Sequence, residues 1–362
     1  MGKKRKEEES RLLKWVGGIT AVLSLGFAVQ QAIQLVSDSR ERQRNITELN
    51  GVAILQRNAG DYRAAWTTYE RALEAAEPTG QLAKLTGQLS EQRRQLREAQ
   101  EDLAMVWLEN MQAKEGESFS DLVAPLDPVI NRGIAGSSGP RQADLLAHAG
   151  WATFLKWRAG QRGLDPDPQY GQALATDANN PYANAYRAHW LLWTRNEKAL
   201  PEARTYFAAA LASGRVKEHV RRIQLAALTN LRSSAPGELF AAVNEMRTQG
   251  ETIPSQARSD LFNGFATVCA RADQKYLARF AAVPVAEQLA TFQALYYDAD
   301  KRVPGEHPRG DADPCLAYLL EAAGHPEQAL PVWTALAKKW PNKGNLLGDR
   351  AREAVNRLQT RR

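Results

Sequence analysis

Apolar and polar positions follow the period of an amphipathic α-helix over most of the chain from Leu49 onward. Apolar residues recur three and four positions apart, which places them on one face of a helix. Runs of Val, Ile and Thr that would indicate β-strands are scarce, whereas Ala, Leu, Gln, Glu and Arg are abundant. The pattern therefore predicts an all-α protein without a sheet.

The amino-terminal region has a different pattern, because one long apolar run lies between two basic flanks. A basic head covers residues 1–14, and the apolar run extends over residues 15–36. A helix of this length rises about 33 Å, enough to cross a hydrocarbon core of about 30 Å. The run is therefore predicted to be a transmembrane signal anchor. An interfacial amphipathic helix is the alternative, since three glutamines lie close together near its carboxyl end.

The basic flanks of this anchor predict its orientation. Six Lys and Arg residues precede the run and three follow it closely. Because cytoplasmic flanks carry the excess of Lys and Arg, the amino terminus is predicted in the cytoplasm and the rest of the chain outside. In a bacterial inner membrane, the carboxyl-terminal domain is then periplasmic, with a cytoplasmic domain as the alternative. Ser24, Ala28 and Ala32 recur every four residues; they are interpreted as ordinary small residues of a single span, with association of two anchors as the alternative.

Three later segments, residues 49–78, 181–214 and 315–341, share a second pattern in which small and aromatic residues recur at matching helix positions. Small residues let two helices cross closely, and the aromatic residue fills the gap to the next helix pair. Glycines mark the turn between helices in the first and third segments. The matching residues are Gly60, Ala65, Tyr69 and Ala72 in the first segment, Ala203, Phe207 and Ala210 in the second, and Gly324, Ala329 and Trp333 in the third.

This pattern resembles the tetratricopeptide repeat (TPR), a helix pair of about 34 residues. The marker residues Ala65, Ala203 and Ala329 are 138 and 126 residues apart, which leaves room for degenerate repeats between them. The resemblance implies a TPR-like helical-repeat solenoid of about seven helix pairs after the transmembrane helix. It also implies that a protein or peptide partner binds the concave face of the solenoid.

A long helix predicted over residues 81–113 departs from the repeat pattern, because it carries a heptad seam from Leu82 to Val106. We expect it to lie along its own chain, with pairing to a second chain as the alternative. Pro and Gly residues then predict a linker. The predicted organisation is a basic head at 1–14, a transmembrane helix at 15–36, a TPR repeat with the long helix at 37–116, a linker-like segment at 117–140, a TPR-like solenoid at 141–342 and a capping helix at 343–362.

Composition and motifs weigh against an enzyme. The formal charge of +6 is spread over mixed-sign segments, so nucleic acid is not a predicted partner. The phosphate-loop, dinucleotide, zinc-protease and hydrolase motifs are absent from the sequence. The five histidines lack metal-ligand spacing and are predicted on helix surfaces or in loops. We therefore predict no catalytic residue, no metal and no cofactor.

Two local features have alternative interpretations. Cys269 and Cys315 lack metal-binding spacing, so two free thiols are the preferred interpretation, and a disulfide between them in an oxidising compartment is the alternative. Acidic residues between 298 and 313 surround a Pro/Gly-containing loop, but their spacing does not match a calcium-binding loop. We expect a solvated loop. Its acidic residues are Asp298, Asp300, Glu306, Asp311 and Asp313.

Two clusters are predicted as recognition surfaces. A basic cluster on one helix suits an acidic peptide carboxylate or a phosphate backbone, although an ordinary solvated helix face is the preferred interpretation. An aromatic cluster between Trp151 and Trp193 is predicted to be mainly core, in which Trp157 and Trp193 could anchor a partner. The residues of the basic cluster are Arg215, Lys217, Arg221 and Arg222.

Together these features predict a membrane-tethered TPR scaffold or adaptor that recruits a partner protein or peptide to the membrane. Homo-oligomerisation through the anchor or the long helix is kept as an alternative to a monomer. The alternative is a sensor or regulatory subunit of a membrane-associated enzyme complex, such as a protease or defence-type system, with the catalytic residues on another chain.

Overall fold

The computed structural model describes residue 37 and residues 40–77, 87–231, 235–271, 283–310 and 312–360. The predicted basic head and transmembrane helix lie outside these ranges. The described residues form helices, turns and loops and contain no strand, so the all-α prediction is confirmed. None of the helices in these ranges combines the length and apolar character that crossing a bilayer requires.

The chain divides into two compact units. The first comprises Met1–Ser138 and Leu155–Leu164. Its described helices begin with one at 40–58, here α1. The helices that follow are α2 (Tyr62–Ala75), α3 (Gly87–Glu109), α4 (Phe119–Val123) and α5 (Asp127–Gly136).

The turn between α1 and α2 follows directly from its residues. Gly60 adopts a φ of +79°, a conformation that L side chains rarely adopt. Asp61 then caps α2, because its carboxylate accepts a hydrogen bond from the Ala64 amide at 3.1 Å. The inward face of α2 carries the first set of marker residues. Ala65, Tyr69 and Ala72 are all buried.

Helix α3 carries the described part of the heptad seam and packs against α2 and α5. Leu96 and Leu103 of the seam are buried. The helix ends at Glu109, four residues before the predicted end. Residues 78–86, which include the first two seam leucines, lie outside the described ranges. This burial favours the interpretation in which the helix lies along its own chain.

The segment 117–140, predicted to be a linker, instead contains α4 and α5. Val123, Leu126 and Ile130 are buried in the first unit. The proline at position 128 lies in the first turn of α5, where a missing amide hydrogen costs nothing. Pro and Gly residues thus mark helix ends here, and the prediction of a linker is corrected.

The second unit comprises Gly139–Phe154 and Asp165–Arg362. A 3₁₀ turn (Asn196–Ala199) precedes α9, and a π-helical turn (Ala294–Asp298) follows α13. The amphipathic pattern predicts helices near 140–160, 167–177, 215–233, 235–249, 255–280, 284–298 and 343–359, and except where residues are not described the observed bounds lie within a few residues of these. The helices are α6 (Gly139–Arg158, with its last four residues in the first unit), α7 (Asp167–Thr176), α8 (Pro181–Arg195), α9 (Leu200–Ala212), α10 (Lys217–Asn230), α11 (Pro236–Thr248), α12 (Ser255–Arg271), α13 (Val285–Gln293), α14 (Ala312–Ala322), α15 (Pro326–Lys339) and α16 (Leu346–Gln359).

Helices of the second unit pack mainly on their neighbours along the chain. Helix α8 packs on α9, α10 on α11, and α14 on α15. Contacts between next-but-one helices join α8 to α10, α10 to α12, and α12 to α14. Each helix therefore covers the apolar face of a helix close to it in sequence.

The second and third sets of marker residues face the inside of this unit. Ala203, Phe207 and Ala210 of α9 are buried, as are Ala329 and Trp333 of α15. Gly324 has a φ of +84° in the turn before α15. The small residues permit close helix crossings, and the aromatic rings fill the space beside them.

Glu321 connects the last three helices. Its carboxylate on α14 accepts a hydrogen bond from the Trp333 indole of α15 at 2.7 Å. It also forms an ion pair with Arg357 of α16 at 2.6 Å. The third marker aromatic residue is therefore held by a polar contact as well as by packing.

Candidate functional site

Arg221, one of the four residues of the predicted basic cluster, lies inside the second unit. Its side chain is 3% exposed and forms ion pairs with Glu245 at 2.7 Å and with Glu251 at 3.0 Å. Burial by itself lowers the pKa of Arg221, but the hydrogen bonds and charges of the two glutamates outweigh burial and raise it. Arg221 thus ties α10 to α11 and the turn after it. The prediction that places Arg221 on a recognition surface is corrected.

The other three basic residues of that cluster have partners within the chain. Arg215 precedes α10 and forms an ion pair with Asp144 of α6 at 2.7 Å. Lys217 pairs with Glu251 at 2.7 Å. The Arg222 guanidinium lies 2.8 Å from a ring nitrogen of the histidine one turn earlier on α10. Most of these cations serve contacts between helices, so the cluster is not a continuous basic face.

Aromatic rings fill the space between α6 and α8. Trp151 stacks on Tyr186 with ring centroids 4.6 Å apart. Phe154 meets Trp193 edge-on at 5.7 Å. Tyr186 is fully buried and Trp151 nearly so. The aromatic cluster predicted from helical spacing is therefore largely core.

Four of the five histidines are buried; three of these lie on helices, which corrects their prediction as helix-surface residues, and His307 lies in a loop. Three of them extend the aromatic core. The Nε2 atom of His219 lies 2.9 Å from the Tyr186 hydroxyl. The Nδ1 atom of His148 lies 2.7 Å from the Asp144 carbonyl oxygen. Sequence spacing alone does not reveal such partners, because they come from other helices or from the preceding turn. The buried histidines are His148, His189, His219 and His307.

Trp157 and Trp193, predicted as anchors for a partner, belong to different units and are both half-buried. In the first unit, the Arg162 guanidinium lies over the Trp157 ring at 4.1 Å. In the second unit, Trp193 stacks on His189 at 5.8 Å. Both rings keep an accessible part, and their contact with a partner stays a prediction.

A polar cavity of about 400 Å³ opens beside α12, the π-helical turn and the loop 299–310. Turns of the π-helical type occur frequently at functional sites. No local pattern predicts this cavity, because its lining comes from stretches far apart in the sequence. The acidic residues between 298 and 313 are the local feature nearest to the cavity, and their pattern predicts only a solvated loop. The lining residues are Ser255, Gln256, Arg258, Ser259, Tyr296, Asp300, His307 and Arg309.

Asp313 organises the loop beside this cavity and is 1% exposed. Its carboxylate accepts hydrogen bonds from the Tyr297 hydroxyl and the Gly305 amide, both at 2.9 Å, and from the His307 amide at 3.0 Å. Burial raises the pKa of Tyr297, and the charge and hydrogen bond of Asp313 raise it further. Asp313 is therefore a buried anchor, which corrects its prediction as part of a solvated loop.

Two arginines from different elements face the cavity. Arg258 of α12 lies 3.3 Å from the carboxylate of Asp300. Within the described residues, the Arg309 guanidinium has no hydrogen bond or ion pair, and it lies over the Phe262 ring at 4.6 Å. Burial raises the pKa of Tyr296, and the positive charges of both arginines oppose that rise. Both cations therefore lie near the same phenol.

A second cavity of about 200 Å³ lies among α8, α9, α10 and α11. Phe207 and Leu228, which are buried, contribute to its apolar floor. At its rim, Arg204 Nε donates to the carboxylate of Glu238 at 3.0 Å. The arrangement suits an apolar side chain surrounded by polar contacts. The remaining lining residues are Leu192, Leu200, Ala203, Gln224, Ala241, Ala242 and Glu245.

Cys315 on α14 is buried and disulfide-bonded. The side chain of Cys269, the other cysteine of the chain, lies outside the described part. Disulfides form and persist mainly in oxidising compartments, and they are rare in the cytosol.

Within the described ranges, no group of His, Cys, Asp and Glu side chains is arranged to hold a metal ion. Comparison of the chain with family models, curated proteins and solved structures finds no significant match. The resemblance to tetratricopeptide repeats therefore depends on the residue pattern and helix contacts given above.

Proposed function

We propose that the protein is a membrane-tethered scaffold or adaptor whose TPR-like helical repeats bind a partner protein or peptide. The observation that carries the proposal is the helix packing of the second unit. Its helices contact mainly their neighbours and next-but-one neighbours along the chain. Repeat proteins pack in this way, and they use the extended surfaces of stacked repeats for binding.

The second cavity, among α8–α11, supplies a docking point for such a partner. Its floor is apolar, and Arg204 and Glu238 provide polar groups at its edge. An apolar side chain from an extended segment would remove this floor from water, while backbone groups nearby could reach the polar rim. A volume of about 200 Å³ matches a single large side chain better than a whole helix.

The tether is proposed from the apolar run at residues 15–36, which lies between basic flanks. The excess of Lys and Arg before the run supports a periplasmic second unit. The disulfide-bonded Cys315 supports the same compartment, because cytosolic thiols are usually kept reduced. Attachment to the membrane would concentrate a captured partner at the bilayer surface.

The test is purification of the full-length protein from native membranes in a mild detergent, with quantitative mass spectrometry of co-purifying chains. The deciding variant is Ala241→Trp. Ala241 is exposed and lines the cavity, so an indole there would occupy the groove without disturbing the core. We expect recovery of a stoichiometric partner to fall at least about tenfold.

The matched control is Ala208→Trp, the same change at an exposed position of α9 that does not line the cavity. It should retain the partner at the wild-type level. Absence of any stoichiometric partner in several mild detergents would contradict the adaptor function. Equal recovery with Ala241→Trp would leave the adaptor function standing and move its docking surface elsewhere.

A sensor or regulatory subunit of a membrane-associated enzyme complex is the second candidate function. The observation that favours it is the polar cavity beside α12, whose volume lies in the range of small-molecule sites. In that case the co-purifying chain would be an enzyme, and its activity would change when a ligand of the cavity is added.

A further inference from the structure

The cavity beside α12 has more positive than negative side chains in its lining. Arg258 and Arg309 are its cations, and Asp300 is its anion. The nearby buried carboxylate of Asp313 accepts its hydrogen bonds from neutral donors and not from either arginine. A surplus of one positive charge matches a ligand that carries one negative charge.

Arg309 has the donors that such a ligand needs. Its guanidinium rests on the Phe262 ring at 4.6 Å and, within the described residues, makes no hydrogen bond or ion pair. A guanidinium is planar and presents a fork of N–H donors, the geometry that a carboxylate accepts. The position of Arg309 is further defined because its backbone amide donates to His307 Nδ1 at 3.1 Å.

Arg258 can contribute to the same ligand. Its Nη2 atom donates to the Leu295 carbonyl oxygen and lies 3.3 and 3.4 Å from the two carboxylate oxygens of Asp300, whereas its Nε and Nη1 atoms make no hydrogen bond within the described residues. Charge-assisted hydrogen bonds between these groups are normally about 2.7–2.9 Å, so the pair with Asp300 is loose, and Nε and Nη1 of Arg258 keep their donors for a ligand. Ser255 and Ser259 line the cavity on the same helix and add neutral hydroxyl donors.

We propose that this cavity binds a small organic carboxylate. The carboxylate meets Arg309 and Arg258, and the organic part lies against the phenol ring of Tyr296. A cavity of about 400 Å³ accommodates a ligand of this kind. The proposal goes beyond adaptor binding and does not depend on it.

The test is isothermal titration calorimetry on the full-length protein in a neutral detergent, with a detergent-only titration subtracted. Benzoate is the probe, benzamide its neutral analogue and phenyl phosphate its more highly charged analogue. We expect saturable binding of benzoate and at least about tenfold weaker binding of benzamide, because the latter loses the charge-assisted contacts. Phenyl phosphate should also bind more weakly, because its second charge meets Asp300.

Two variants with opposite expected effects sharpen the test. Arg309→Gln should weaken benzoate binding at least about tenfold. Asp300→Asn should strengthen it several-fold, because the carboxylate that competes for Arg258 is gone. The control is Arg302→Gln, which changes an exposed arginine of the same loop that does not line the cavity and should leave binding unchanged.

Circular dichroism and thermal unfolding would establish that each variant is folded. Lack of saturable benzoate binding to the folded wild-type protein would overturn the proposal. So would equal binding of benzamide, tighter binding of phenyl phosphate, or equal effects of Arg309→Gln and Arg302→Gln. Since the probes are small molecules, none of these outcomes depends on whether a partner protein is found.

Discussion

The second unit satisfies its buried charges in two different ways. At α10 and α11, Arg221 is buried between the carboxylates of Glu245 and Glu251. At the loop 299–310, the buried carboxylate of Asp313 is satisfied by one hydroxyl and two backbone amides. In the first network, the buried charge is paired with opposite charges. In the second, the buried charge accepts hydrogen bonds from uncharged groups.

The difference explains where positive charge remains available. Carboxylates of the chain itself pair with three of the four cations of the basic cluster: Asp144 with Arg215, Glu251 with Lys217, and both glutamates with Arg221. Beside Asp313, the neutral donors leave Arg309 without an ion-pair partner among the described residues. The arginines suited to a ligand are therefore not the ones that cluster in the sequence.

The largest expected effect is the loss of the charge pair at Arg221. Arg221→Met should lower the free energy of unfolding by about 3 kcal/mol, because it leaves Glu251 mostly buried without its main partner. The control is Arg204→Met, which removes a more exposed arginine that pairs with Glu238 across α9 and α11. That loss should stay below about 1 kcal/mol. Chemical denaturation measures both, and equal effects would contradict the contrast between a buried and an exposed pair.

The second effect concerns the neutral-donor network. Asp313→Asn should lower the free energy of unfolding by about 2 kcal/mol, because an amide NH₂ group would face N–H or O–H donors in place of an acceptor. Glu306→Gln, an exposed position of the same loop, should change it by less than about 0.5 kcal/mol. Urea unfolding followed by circular dichroism would detect the difference. A stable Asp313→Asn protein would show that the donors can be satisfied by other groups.

Two Tyr→Phe changes compare a bonded with an unbonded buried hydroxyl, and they should change the free energy of unfolding in opposite directions. The Tyr170 hydroxyl is buried without a hydrogen-bond partner among the described residues, whereas the Tyr297 hydroxyl donates to Asp313. Tyr297→Phe should lower the unfolding free energy by about 1 kcal/mol, and Tyr170→Phe should raise it by a similar amount. Thermal and urea unfolding would measure both. Equal signs would mean that Tyr170 has a partner, such as a bound water.

The smallest expected effect is on the pH dependence of the free energy of unfolding. Burial acts to raise the pKa of Glu251, but the hydrogen bonds and charges of Arg221 and Lys217 outweigh it, so the pKa is lowered. A carboxyl group with a lowered folded-state pKa stabilises the fold above its unfolded pKa, and this stability is lost as the pH falls through the folded value. Acidification should therefore lower the free energy of unfolding less in Lys217→Met than in the wild type, and the two losses should differ by less than about 1 kcal/mol. Urea unfolding from about pH 6 to about pH 3 would measure it, with Lys338→Met on α15 as the control.

Local pattern predicts much of this fold. The period of apolar residues, with Pro236, Pro254 and Pro284 at boundaries, indicates most helices of the second unit within a few residues. The periodicity works because helix formation depends on residues three and four positions apart. Pro and Gly signals were less reliable at 117–140, because the same residues serve helix starts and helix ends as well as linkers.

The candidate site was not accessible to the same reasoning. Arg258 and Arg309 are 51 positions apart in the sequence, and only the packing of α12 beside the loop 299–310 brings both to one cavity. Burial of Arg221 likewise depends on glutamates of α11 and the turn after it. A charged residue looks the same in a sequence whether its partner is a neighbouring helix or a ligand.

By itself, the sequence determined the all-α class and most helix boundaries, because these follow from interactions within a few residues along the chain. It also identified the small and aromatic residues that lie inside the helix pairs. Tertiary structure alone decided that the conspicuous cations of α10 serve packing and that an arginine in a distant loop is left facing a cavity. Burial and charge pairing depend on groups that are distant in sequence and adjacent in space, so they are properties of the folded chain.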